Sequence, residues 1–160
     1  MNATDFVNKP GGVFDSFSTE RLQQLVDGSQ VRSFEAKEAI IHHGAPATHF
    51  GVVLAGTVSV SVVADGGARQ VLGRLAAGET FGEMSLMTGD VVLADFIAES
   101  RCEILLIPVS LFQSVIVAEP RAVHHISRTI AERMKILMAE PAKSVAVQIT
   151  CLRSSLWEVD

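Results

Sequence analysis

The stretch VVLAGTVSVSVVADGGARQVLGRL, residues 52–75, decides the fold. From Val52 to Val62, the residues Val52, Leu54, Gly56, Val58, Val60 and Val62 alternate with Ala55, Thr57, Ser59 and Ser61 at a period of two. A strand sends successive side chains to opposite faces, so the pattern gives one buried face and one face of small or polar groups. Asp65, Gly66 and Gly67 then supply the positive backbone angles of a tight turn, and Val71, Gly73 and Leu75 resume the alternation. These residues predict a β-hairpin whose first arm runs from Val52 to Val62.

On either side the same texture continues. VRSFEAKEAIIHHGAPA (31–47) lies upstream, and LADFIAE (93–99) and CEILLIPV (102–109) lie downstream, giving about seven or eight short strands at roughly even spacing. That spacing predicts a sandwich, jelly roll or barrel. Helices frame the β-rich centre. Ser18 and Thr19 cap a short one with Glu20 in its first turn, Leu22, Leu25 and Val26 on one face and Gly28 at its end. Ser110 caps another through LFQSVI, and Pro120 opens a longer one that runs to about Met138 before Pro141 stops it. Val123, Ile126, Ile130, Met134 and Leu137 make a narrow apolar stripe on that last helix. The stripe packs either on its own barrel or on the same helix of a second copy. The expectation adopted is a homodimer through residues 120–138. Residues 1–16 read as a tail, 17–140 as the domain, and 141–160 as a tail or the start of a following domain.

The composition bounds the function. At 160 residues, 48% hydrophobic and 19% charged, the chain has room for one domain with a real core. A formal charge of -5 has the wrong sign for neutralising phosphates, so no nucleic-acid partner is expected. Cys102 and Cys151 form no disulfide framework and suit a reducing compartment. The opening MNATDFVNKPGG has no basic segment followed by an apolar one, and no apolar run approaches the roughly 20 residues that span a bilayer. A soluble cytoplasmic protein without a membrane partner is expected. The adjacent pairs His42-His43 and His124-His125 diverge on a strand or helix, and with His49 they suggest no metal site. No nucleophile elbow, P-loop or dinucleotide fingerprint is present, so the chain reads as no enzyme.

The segment that carries chemistry is LAAGETFGEMSLMTGDVVLADFIA, residues 75–98. Gly78 and Gly82 flank Phe81 and precede Glu83 and a short helical turn. This has the form of an anion cradle. Gly82 lets the backbone approach a ligand, the N–H groups at the start of Glu83, Met84, Ser85 and Leu86 serve as donors, and Glu83 accepts from a hydroxyl. Glycines that merely turn a hairpin are the other reading.

In order along the chain, FEAKEAII (34–41), HGAPA (43–47), HF (49–50), LAGTV (54–58) and GETFGEMSL (78–86) resemble the cyclic nucleotide-binding domain family. The likeness runs from about Phe17 to Met138, and the last piece is similar to the family's phosphate-binding cassette. It implies a mainly β fold, a double-stranded β-helix or jelly-roll barrel with a short N-terminal helix and C-terminal helices. It also implies a cyclic nucleotide, cAMP or cGMP, as ligand. Glu83 takes the place of the glutamate that holds the ribose 2′-hydroxyl, and the amides around it hold the cyclic phosphate. An arginine in a segment of the form Pro-Arg-Ser-Ala-Thr neutralises that phosphate in the family. The corresponding residues here are Val91, Val92, Leu93, Ala94 and Asp95. The implied ligand-binding set is therefore Phe81, Gly82, Glu83, Met84, Ser85, Leu86, Val92, Leu93, Ala94 and Asp95. Val92 stands where the arginine belongs, and Asp95, where the family often has threonine or serine, brings a negative charge towards a phosphate. Losing one partner of a buried charge pair costs roughly 2–5 kcal/mol, a factor of tens to thousands in affinity. Arg69, Arg74 and Arg101 are the substitutes to look for.

After Pro141 the residues are too few for the helix-turn-helix domain that follows in the family's transcription factors. KSVAVQITCLRSSLW (143–157) reads as an apolar strand entering a serine-containing turn. It faintly resembles the opening of acetate kinase, with leucine and arginine where that family has glycine and serine. The expected function is a regulatory sensor domain with weak or altered ligand binding that passes pocket occupancy to its C-terminal helix. The alternatives are a barrel that binds nothing and serves in dimerisation or docking, and the N-terminal regulatory piece of a larger enzyme such as an acetate-kinase-like phosphotransferase.

Overall fold

The computed structural model describes residues 12–139. Helix α1 (Thr19–Asp27) starts where expected: the Ser18 hydroxyl accepts the Arg21 N–H at 3.2 Å, and Gly28 closes the last turn. One antiparallel sheet has the order β1 (Gln30–Phe34), β8 (Cys102–Pro108), β3 (His49–Ala55), β6 (Thr80–Phe81). The other has the order β2 (Ala39–Ile41), β7 (Asp95–Ala98), β4 (Val58–Val63), β5 (Arg69–Leu75). Helix α2 (Glu83–Thr88) lies between β6 and β7 in the chain. After β8 come the turn α3 (Val109–Leu111), a π-helical stretch Phe112–Ile116, and the long α4 (Pro120–Ala139). The architecture is the expected jelly-roll barrel with flanking helices.

The hairpin holds, with Val58 opposite Leu75 and Val63 opposite Arg69. Its first arm does not reach back to Val52. The chain breaks at Gly56, whose φ of +88° turns it from the first sheet into the second. A Cβ there would lie 2.3 Å from the Arg101 carbonyl oxygen and 2.8 Å from Cys102 Sγ. Val52 and Leu54 pack under the helices, whereas Val58 packs between the sheets. The period of two in residue type runs through the corner, but burial does not follow it: Val53 is buried alongside Val52 and Leu54, and Ser59 and Ser61 are buried alongside Val58.

The continuous apolar runs of β3 and β8 have a different cause. Phe50, Val52, Leu54, Leu105 and Ile107 cover the helical layer, while Val53, Ile104 and Leu106 face the second sheet. A strand buried on both faces has no polar side to show.

Two boundaries differ from expectation. Val13 and Phe14 are buried in the helix-side core, so the body begins before residue 17. Ser110 caps nothing: Pro108 holds the N-cap position of α3, and the Val109 N–H bonds the Thr48 carbonyl at 2.9 Å. On α4, Ala122 and Ile126 are buried in the helix-side core and Ile130 packs against it, so the first half of the stripe is used within the domain. The readings of Pro141 and of residues 143–157 lie outside the described residues. No helix among the described residues is long and apolar enough to cross a membrane.

Candidate ligand-binding site

A cavity of about 590 Å³ opens between β4, β5, the turn before α2, the segment 92–94 and the inner face of α4. Gly82 shapes it. Its φ is +89° and a Cβ would meet the His49 carbonyl oxygen at 2.9 Å, so the turn that delivers Glu83 needs a residue without one. Of the expected set, Gly82, Glu83, Met84, Ser85, Val92, Leu93 and Ala94 line the cavity. The Val92 backbone is tied at both ends to the β2–β3 loop, its N–H to Ala45 O at 2.9 Å and its carbonyl to Gly44 N at 2.7 Å. Its side chain is buried.

Phe81, Leu86 and Asp95 are placed elsewhere. Phe81 is a core residue: its ring stacks on Phe96 with centroids 5.2 Å apart and lies where a Cβ on Gly51 would sit, at 2.2 Å. Leu86 packs on the helix-side core. Asp95 does not line the cavity. It accepts the His43 N–H at 2.8 Å and an Arg69 N–H at 2.9 Å, and Arg69 also donates to the Ser61 hydroxyl. The expectation that Asp95 sends a negative charge towards a phosphate is thus corrected by a local counter-ion.

Burial works against ionisation of the Asp95 carboxyl, but the His43 N–H and the Arg69 guanidinium more than offset it and hold the pKa below its ordinary value. A carboxylate with a lowered folded-state pKa contributes stability that is present above the ordinary 3.8 and is lost as pH falls through the lowered value. We predict that Asp95→Ala lowers unfolding free energy by about 1–3 kcal/mol at neutral pH. The deficit should shrink on acidification below pH 4. Urea titration at two pH values tests this, and a variant as stable as wild type at neutral pH would contradict it.

Glu83 is the centre of the site. Only 2% of it is exposed; Oε1 accepts from the Arg133 guanidinium, and Oε2 is buried with no hydrogen-bond partner among the described residues. Arg133 donates as well to the Thr80 carbonyl. Burial pushes the Glu83 carboxyl above its usual pKa, and the Arg133 charge opposes that rise. Arg133 is the residue of the cavity wall that the cassette pattern does not reveal. The helical repeat carries a signal for it, since it stands seven residues after Ile126 and three after Ile130 and so falls on their inward face.

The three arginines singled out from the sequence have other partners. Arg69 holds Asp95, Arg101 meets Glu35 at 3.2 Å, and Arg74, which does line the cavity, meets Glu99 at 2.8 Å. Among the described residues the charged groups on the cavity wall are therefore Glu79, Glu83 and Glu132 against Arg74 and Arg133, with both guanidiniums already paired. Val92 contributes an apolar surface where the resemblance calls for a cation.

Comparison with known proteins agrees with this architecture. Residues 31–119, more than half of the chain, match the family described as cyclic nucleotide-binding domain. The cAMP-activated global transcriptional regulator CRP of Pasteurella multocida is 29% identical over 115 residues, 71% of this chain and 55% of that protein. The chain spans about half the length of the curated CRP relatives it matches. Among solved structures, the regulatory subunit of a cAMP-independent protein kinase A from Trypanosoma cruzi, bound to guanosine, superposes with a TM-score of 0.63 at 20% identity. That match covers 79% of this chain and 48% of the other. The corresponding Trypanosoma brucei subunit, a triple mutant bound to cAMP in its A site, gives 0.65 at 18% identity and covers 78% and 49%. Matching the family over both sheets, the cassette and the turn into α4, the chain belongs to the cyclic nucleotide-binding domain family.

Proposed function

We propose that this chain is a regulatory sensing domain whose pocket takes an uncharged, ribose-bearing ligand of the nucleoside class and reports its presence through α4. The observation that carries the reading is Glu83 Oε2, a buried acceptor without a partner among the described residues, on the wall of a cavity whose phosphate-arginine position is Val92. A buried carboxylate oxygen left unpaired is costly, and a ligand hydroxyl removes that cost by donating to it. A phosphate offers no donor at neutral pH and needs a cation. Both guanidiniums on the wall are engaged, and three carboxylates surround the space. Val60, Leu72, Val92, Leu93 and Phe96 provide apolar walls suited to a base.

Two of the structural relatives support the idea. One holds guanosine, a ligand without phosphate. The other, whose wild type is described as cAMP-independent, is shown with cAMP after three substitutions, one of which introduces an arginine. The resemblance to cAMP-binding relatives makes cAMP and cGMP the reference ligands. Occupancy would shift the balance between packings of α4, because Thr129, Ile130 and Arg133 close one side of the cavity.

The test is a thermal-shift titration with guanosine and adenosine and with their 2′-deoxy forms. A hydrogen bond to a charged acceptor contributes about 1.5–3 kcal/mol. The deoxy forms should therefore bind roughly 10- to 150-fold more weakly. Equal stabilisation by ribo and deoxy forms would remove Glu83 from ligand recognition. Silence with nucleosides and cyclic nucleotides alike would leave a docking barrel.

A further inference from the structure

We infer that one face of α4, together with the turn at residues 12–16, forms a second site that takes a phosphate group on Arg121, His124 and Arg128. A cavity of about 410 Å³ lies there, bounded on one side by Asp15 and Ser16 and on the other by Arg121, His124, Arg128 and Glu132. Steps of three and four set those α4 residues on one face of the helix, while Ala122 and Ile126 carry a different face into the core. The opposite wall is fixed. Val13, Phe14 and Phe17 are buried in the helix-side core, and the Asp15 N–H bonds the Gly12 carbonyl and the Phe17 N–H the Phe14 carbonyl, each at 3.1 Å.

The fate of the arginines singles out this place. Arg21, Arg69, Arg74, Arg101 and Arg133 are each ion-paired, and Arg32 lies over the Phe34 ring. Arg121 and Arg128 have no such partner among the described residues, and both line this one cavity. Asp15 and Glu132 line it as well, yet neither forms an ion pair with them. Two cations held around one concavity repel each other, and an anion seated between them relieves that repulsion. Arg121 and Arg128 stand seven residues apart with His124 between them, a separation of about 10 Å along the helix axis. A carboxylate is satisfied by a single guanidinium fork. A phosphate presents a tetrahedron of oxygens and up to two charges, so it accepts from two forks and an imidazole N–H together. This cavity shares Val13, His125 and Thr129 with the ligand cavity, so the two adjoin. The phosphate is therefore either free or the 5′-phosphate of a nucleotide whose nucleoside part fills the neighbouring cavity. The second source rests on the nucleoside reading above; the first does not.

The experiment titrates the full chain with inorganic phosphate at constant ionic strength and follows backbone amides by NMR, with acetate as the control. Phosphate should shift amides of residues 12–16 and 121–129 to saturation, and acetate should bind about fivefold or more weakly. Arg121→Gln and Arg128→Gln should each weaken phosphate about fivefold, and the double variant roughly twentyfold. Asp15→Asn should act in the opposite direction and tighten it about twofold, because it removes a like charge from the cavity. Both arginines are exposed, so thermal melting without phosphate shows that the variants fold. Guanosine and guanosine 5′-monophosphate then separate the sources. A monophosphate that outbinds guanosine tenfold or more, with the gain lost in the double variant, assigns the phosphate to a nucleotide. Phosphate that saturates the site while the monophosphate gains nothing over guanosine assigns it to the free anion. Phosphate shifts that do not saturate, or that persist unchanged in the double variant, would overturn the inference even if guanosine binds. Phosphate binding with guanosine silent would keep this site and strike the nucleoside reading instead.

Discussion

Val92→Arg alone should raise the affinity for cAMP and cGMP by a factor of tens to thousands. The Val92 side chain is buried on the cavity wall and its backbone is pinned by Gly44 and Ala45, so a longer side chain extends into the cavity rather than displacing the segment. A buried cation opposite a phosphate is worth roughly 2–5 kcal/mol, which sets the range. Asp95 should be left as it is. The family pattern suggests changing it to threonine, but Arg69 already balances its charge, and Asp95→Thr would strip a partner from both Arg69 and the His43 N–H. Without ligand the variant should lose about 1–3 kcal/mol of stability, because its guanidinium is held in the cavity without a counter-ion of its own. Saturating cAMP should restore stability by mass action. Calorimetric titration of both proteins reads the change. A Val92→Arg protein that folds but binds cAMP no better than wild type would show that the missing arginine is not what limits cyclic nucleotide binding.

Gly56→Ala should cost at least about 3 kcal/mol, a large part of the 5–15 kcal/mol typical of a domain. Two effects add. The φ of +88° is unfavourable for any residue with a Cβ, by about 1–2 kcal/mol. The new methyl would also stand 2.3 Å from the Arg101 carbonyl oxygen, which belongs to backbone and has no rotamer to move to. Relief requires the corner between β3 and β4 to open and pull the two sheets apart. Gly66→Ala is the control: its φ is +96° but nothing among the described residues lies within 4 Å, so only the conformational cost applies, about 1 kcal/mol. Urea unfolding should separate the two variants by 2 kcal/mol or more, on the order of the clash contribution. Equal losses would mean that the corner is not a constrained joint.

Much of the fold is legible in local sequence, and the limits have physical causes. The Ser18 cap, the Asp65 to Gly67 turn and the Pro120 helix start depend on neighbours a few residues away, which is what a short window records. The Gly56 corner is invisible to periodicity, since alternation survives a change of sheet. At the site, Gly82, Glu83 and residues 92–94 follow from the cassette spacing. Phe81, Leu86 and Asp95 do not share their fate: Phe81 ends β6, Leu86 lies on the core side of α2 and Asp95 opens β7, and only some side chains of a strand or helix meet the cavity. The pairs that set its electrostatics are distant in the chain: Arg69 lies 26 residues from Asp95, and Arg133 lies 50 residues from Glu83. Sequence reading named Asp95 as a defect and Arg69 as a candidate substitute for the missing arginine, and the fold makes them one ion pair.

The most direct test of a pocket that reads a hydroxyl and lacks a phosphate site is calorimetric titration of wild type with guanosine and cGMP, and with adenosine and cAMP, in one buffer. The account predicts that at least one nucleoside binds about tenfold or more tightly than its cyclic phosphate, given the roughly 2–5 kcal/mol that an unpaired buried charge costs. Tighter binding of cAMP or cGMP than of either nucleoside would contradict it and return the domain to ordinary cyclic nucleotide sensing.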